Sequence, residues 1–161
     1  MDAIRLTLAR RLAGAALCLA GLAAPALAQD TPPAEQNLYR AGPTVRLDGP
    51  VRGDLLAAGG RVLVEHPVSR DAAVAGGDVA VRADIGEDLR AVGGQVEIDA
   101  RVGGDAHVAG GHVALGRQSA IVGGAWLAGG SLELAGRLPA RTRVHAGQVT
   151  LSGEVDGDLF V

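Results

Sequence analysis

The sequence contains no lysine, one cysteine, one methionine and three aromatic residues, Tyr39, Trp126 and Phe160, among 161. With so few large side chains and 25 glycines, an ordinary globular core is excluded, so small side chains must fill the interior. The lone cysteine, Cys18, sits in an apolar run near the N-terminus, so the rest of the chain has neither a disulfide framework nor thiol chemistry. Leu17 precedes it where a lipoprotein cleavage site needs a small residue, which argues against a lipid anchor. The apolar run itself, Leu12 to Leu22, is short against the roughly 20 residues of a membrane span. All fifteen basic residues are arginine, a bias that carries no functional signal.

What is present at the N-terminus reads as an export signal. Arg5, Arg10 and Arg11 form a positive start, the apolar run follows, and Ala26-Leu27-Ala28 is a small-x-small cleavage site. Residues 1–28 are therefore expected to be a signal peptide and the mature chain to begin at Gln29, in the periplasm or at the cell surface. An uncleaved anchor is the competing reading, weakened by Pro25 at the end of the run. The mature chain keeps 12 basic and 17 acidic residues, a net charge of −5, which argues against nucleic acid or an anionic lipid surface as partner. Residues 29–41, polar and containing Pro32-Pro33, read as an extended tether, with the folded domain over 42–161.

That domain is a repeat. The glycine pairs Gly59-Gly60, Gly76-Gly77, Gly93-Gly94, Gly110-Gly111 and Gly129-Gly130, then Ala146-Gly147, recur at steps of 17, 17, 17, 19 and 17 residues. Around them apolar residues alternate, the period of a strand with one buried face. One column of equivalent positions holds Val62, Val79, Val96, Val113, Leu132 and Val149. A second holds Val64, Val81, Ile98, Leu115, Leu134 and Leu151, and a third runs from Val51 through Val68, Ile85, Val102, Ile121 and Leu138 to Val155. A helix would rotate such columns off a common face. The pattern predicts an all-β fold, a single-stranded β-helix or β-solenoid of six to seven coils with a 17-residue repeat. The glycine pair should be a corner, glycine being tolerant of positive φ. The two extra residues of the 19-residue step fall in 116–120, at another corner, where an insertion can bulge outward.

Burying each Val, Leu or Ile contributes roughly 1.5–3 kcal/mol before chain entropy is subtracted, so one coil cannot hold itself together but a stack can. The last coil restarts at Val155 and stops before its glycine corner. Leu159, Phe160 and Val161 then form a candidate self-association edge. A reading frame cut short and an end built to join another copy both account for it.

The recurring V-x-G-D-x-x-x-A-G-G-x-V-x-[VIL] over residues 42–161 resembles the bactofilin family and its exported, polymer-forming cytoskeletal relatives. The resemblance implies a right-handed β-helix whose subunits join end to end into filaments without a nucleotide. Bactofilins proper are cytoplasmic scaffolds, so the export signal matches the exported relatives instead. The pattern specifies a fold better than a function.

Chemistry is sparse. Asp54, Asp71, Asp88, Asp105 and Asp158 recur at one position, a ladder interrupted by Gly124 and Arg141. Oxygen ligands of this kind suit a hard cation, but the nine-residue calcium-repeat pattern is missing and solvated corner residues are the better reading. His66, His107, His112 and His145 fall in four different columns; His107 and His112 flank one corner and could meet, but a metal site needs three or four ordered ligands. The turns at Ile85-Gly86 and Val102-Gly103 look like those of hexapeptide acyltransferases, yet no long loop carries a histidine to serve as general base. One outward column, Leu56, Ala73, Arg90, His107, Trp126, Arg143 and Phe160, mixes aromatics with cations. Its Arg90, His107, Trp126, Arg143 and Phe160 form a candidate contact face, suited to cell-wall glycan. The expected function is an exported structural scaffold with no catalytic residue, cofactor or metal, partnered by itself or by envelope components. An envelope-binding module is the alternative, and an acyltransferase-like enzyme comes third.

Overall fold

The computed structural model describes residues 36–157 and the backbone of 159 and 160. The expected signal peptide, most of the tether, Asp158 and Val161 lie outside the described residues. The described chain is a β-solenoid of about seven turns. Its first strand, β1 (Leu38–Arg46), begins four residues before Gly42, where the sequence pattern places the start of the domain. Residues 38–41 therefore belong to the sheet, not to the tether, because they pair in register with Leu55 to Ala58 of the next coil.

One long strand recurs in each coil: β2 (Leu55–Val64), β3 (Ala72–Val81), β4 (Leu89–Ile98), β6 (Ala106–Leu115), β8 (Ala125–Leu134) and β10 (Thr142–Leu151). A short second strand follows it: β5 (Arg101–Val102), β7 (Ala120–Ile121), β9 (Arg137–Leu138) and β11 (Glu154–Val155). In earlier coils the same place is held by single bridges linking Val51, Val68, Ile85 and Val102. The long strands stack as one parallel sheet in the order β1-β2-β3-β4-β6-β8-β10-β12, ending with β12 (Leu159–Phe160). The short ones stack as a second.

Burial shows how the long strand turns. In β2, Leu55 and Ala57 point inward, Gly60 and Arg61 are exposed in succession, and Val62 and Val64 point inward again. The alternation changes phase at the glycine pair. Pairing also skips there, running to Gly59↔Gly76 and resuming at Arg61↔Asp78. The glycine pair is thus the corner, and the two halves of the strand form two walls of the tube, with the short strand as the third. The expected reason for glycine needs correcting. No paired glycine has a positive φ; among the described residues only Gly157 does, at 155°. Glycine is needed because successive coils approach closely at the bend: a Cβ on Gly76 would stand 2.8 Å from the carbonyl oxygen of Gly59, and one on Gly93 2.9 Å from that of Gly76.

All three aliphatic columns face inward, and two further columns, from Leu55 to Thr142 and from Ala57 to Val144, complete the core. Parallel strands this deeply buried read as β-branched and aliphatic on the inner face. The insertion behaves as expected at its corner. Arg117 and Gln118 form an exposed turn and the ladder resumes at Leu115↔Leu134 and Val102↔Ile121. Ser119, buried beneath that turn, closes it by donating its hydroxyl to the Gly116 carbonyl at 2.7 Å.

Three of the recurrent aspartates, Asp71, Asp88 and Asp105, are not merely solvated corners. Asp71 accepts the backbone N–H of Asp88 at 3.0 Å, Asp88 that of Asp105 at 2.9 Å, and Asp105 that of Gly124 at 2.5 Å. Each carboxylate therefore ties its own coil to the next, and satisfies a backbone donor that turns away from the sheet. Asn37 begins the series by accepting from the Asp54 N–H at 2.9 Å. Asp84 and Asp99 do the same at another corner, toward the N–H groups of Arg101 and Gln118.

Candidate contact face and C-terminal edge

Because every coil repeats the last in register, one outward position on the first wall becomes a vertical row. From the N-terminal end it carries Tyr39, Leu56, Ala73, Arg90, His107, Trp126 and Arg143, with Phe160 at the next rung by backbone pairing. The five residues singled out in the sequence are therefore consecutive rungs. Beside them runs a second row of Ala41, Ala58, Ala75, Val92, Ala109, Ala128 and His145. Neither row contains an acidic residue among the described positions.

Trp126 is the centre of the lower half. Its ring is stacked with that of His107, with centroids 6.5 Å apart at 30°, and tilts against His145 at 6.3 Å and 51°. The indole remains 39% exposed. One rung below, Arg143 is exposed and makes no ion pair or hydrogen bond with any described residue. Two rungs above, the Arg90 guanidinium lies 3.9 Å from Asp88, a loose pairing between exposed groups. Sequence reasoning missed Tyr39 and His145. Subtracting 17 from Leu56 reaches the first, and the second stands two residues after Arg143 on the same wall.

The histidines do occupy separate columns, but two of them converge on Trp126. His107 and His112 do not join across their corner, since the bend sends them to different walls. His112 instead places Nδ1 2.8 Å from the Ser131 hydroxyl on the second wall, above a shallow groove of about 380 Å³ lined by Arg61, Asp78, Gln95 and Glu97. No group of three or more His, Cys, Asp or Glu side chains is gathered into a metal-sized cluster among the described residues. No described helix is long and apolar enough to cross a membrane.

The first and last described coils differ. In the first coil Arg40 takes an inward column position, equivalent to Ala57, where it stays exposed and pairs with Asp48 at 3.4 Å. In the last complete coil that column holds the buried Val144, and aliphatic side chains also fill the neighbouring columns: Val149 and Val155 are half-buried and Leu151 is 44% exposed. The equivalents of Leu151 in β2 to β8 are between 0 and 2% exposed. Leu159 and Phe160 continue the sheet by pairing with Thr142 and Arg143.

No family model, curated protein or solved structure matches the chain.

Proposed function

We propose that the protein is an exported, non-catalytic structural scaffold, of the bactofilin-like polymer-forming kind, whose copies join end to end. The observation that supports this reading is the stack itself, in which the long strands of successive coils pair in parallel and in register along one sheet. Their aliphatic side chains are sealed against those of the coils before and after them throughout the middle of the stack. A solenoid end of this kind is self-similar: the surface that receives a further coil from the same chain can receive one from another.

Negative-stain microscopy and light scattering of the purified chain test the reading. Filaments or a concentration-dependent rise in mass are expected without nucleotide, and Leu151→Arg should reduce both. A monodisperse monomer across the accessible concentration range overturns it. Export is tested separately by fractionating cells that express the full chain, with the product expected outside the cytoplasm and shortened at Ala28.

A further inference from the structure

We propose that the lower half of the first wall is a binding strip for an acidic oligosaccharide of the hexuronate type, laid along the solenoid axis with one sugar ring on Trp126. This goes beyond the scaffold reading and requires no polymer, since every residue in it comes from one chain.

The argument rests on what successive rungs present. Rungs of a parallel sheet are about 4.8 Å apart, so Arg90 and Arg143, three rungs from one another, are separated by roughly 14 Å, with an aromatic platform between them. Trp126 is flanked by the rings of His107 and His145, which limits its rotation, while 39% of the residue stays exposed and offers apolar ring surface to solvent. The smaller Ala109 and Ala128 in the adjacent row leave room beside it. An indole face favours a ligand with an apolar ring face, which a pyranose has. The unpaired Arg143 guanidinium favours a carboxylate, which it can grip through two parallel N–H donors. Arg90, only loosely engaged by Asp88, can take a second carboxylate further along the same polymer. The imidazoles supply hydrogen bonds to ring hydroxyls.

Charge complementarity selects among ligands. The chain is acidic overall, with 18 acidic residues against 15 basic, yet these two rows hold no carboxylate to repel an anion. A neutral sugar uses the indole and leaves both guanidinium groups without a partner. An acidic peptide pairs with the guanidinium groups but lacks the ring face.

Trp126 is the only tryptophan in the chain, so its fluorescence reads this strip and nothing else. The purified protein is titrated with an oligogalacturonate hexamer, the neutral galactose hexamer and poly-glutamate. A saturable change in emission with the uronate, at least tenfold weaker for the other two, is expected. Arg143→Ala should weaken the uronate response by roughly tenfold with an unchanged thermal melt, because its side chain is exposed and makes no ion pair or hydrogen bond with a described residue. Calorimetry on Trp126→Ala, whose fold is checked by far-UV dichroism, should register no binding. Equal responses to the neutral sugar or to poly-glutamate, no response to any, or full affinity in Arg143→Ala overturn the proposal. None of these outcomes depends on whether filaments form.

Discussion

The middle coils and the last coil are built from the same 17-residue plan and use it differently. In the middle, between residues 55 and 115, each corner has two glycines, the Asp ladder ties most coils to the next, and the inward side chains are sealed. In the last coil Ala146 replaces the first glycine, Arg141 replaces the aspartate, and Leu151 is partly open. The repeat is kept most strictly in the middle coils, where both glycines of each corner are present and the inward side chains are sealed. A glycine is demanded where a carbonyl presses from the coil beneath, and the last coil bears that pressure less: a Cβ on Gly147 would stand 3.2 Å from the Gly130 carbonyl oxygen, against 2.8–3.0 Å at the equivalent Gly60, Gly77, Gly94, Gly111 and Gly130.

The largest expected effect comes from placing a charge in the same column in the two regions. Ile98→Asp buries an unpaired carboxylate, a cost of several kcal/mol set against a total stability on the order of 5–15 kcal/mol, so the cooperative melt and the β-type dichroism should be lost. Leu151→Asp, at a position already reached by water, should lower stability by about 1 kcal/mol and leave the spectrum intact. Equal losses would show that the last coil is as tightly packed as the middle.

Glycine replacement sharpens the same contrast. Gly94→Ala sets a Cβ 3.0 Å from the Gly77 carbonyl oxygen, and urea unfolding should show a loss of about 1–3 kcal/mol. Gly147→Ala should cost less than about 1 kcal/mol by the same measurement. A smaller effect is expected from the ladder. Asp88→Ala leaves the Asp105 N–H without its acceptor, and a loss of about 1 kcal/mol should appear in urea, together with faster amide exchange at Asp105.

The smallest effect belongs to the Arg137–Asp156 pair, which spans adjacent coils near the C-terminal end through hydrogen bonds of 2.8 and 3.1 Å. The hydrogen bond from Arg137 holds the Asp156 carboxyl below the ordinary aspartate value, and the same bond raises Arg137 above its own. A carboxylate depressed in the folded state contributes stability above its unfolded pKa of about 3.9, lost as pH falls through the lower folded value. The arginine's contribution is present throughout the neutral range and disappears only at extreme alkalinity. Asp156→Asn should therefore lower the melting temperature slightly at neutral pH, leave it unchanged in strong acid, and matter less in high salt, because both groups are solvent-exposed.

Much of this was legible in advance because solenoid geometry is one-dimensional. Once a 17-residue step is recognised, adding it to Val62 reaches Val79, Val96 and Val113, and a shared column in sequence must be a shared column in space. The row from Leu56 to Phe160 could be written down the same way. Its content could not. That Trp126 lies between His107 and His145 depends on ring orientation, which the spacing that sets His145 two residues after Arg143 does not fix. The aspartates were visible as a recurrence, but their task was not, since a carboxylate beside a corner can face water or reach the next coil's N–H, and only the stacking distance decides between them.

The coil's period, its inward columns, the corner at each glycine pair and the place where an insertion is tolerated all follow from residue spacing alone, because aliphatic alternation that recurs without large side chains is satisfied by stacked strands. Tertiary structure alone decided why glycine stands at the bend, which polar groups tie one coil to another, and how Arg40 and Leu151 make the first and last described coils unlike. Those outcomes turn on distances of a few tenths of an ångström between backbones far apart in the chain, and such distances exist only after the coils have stacked.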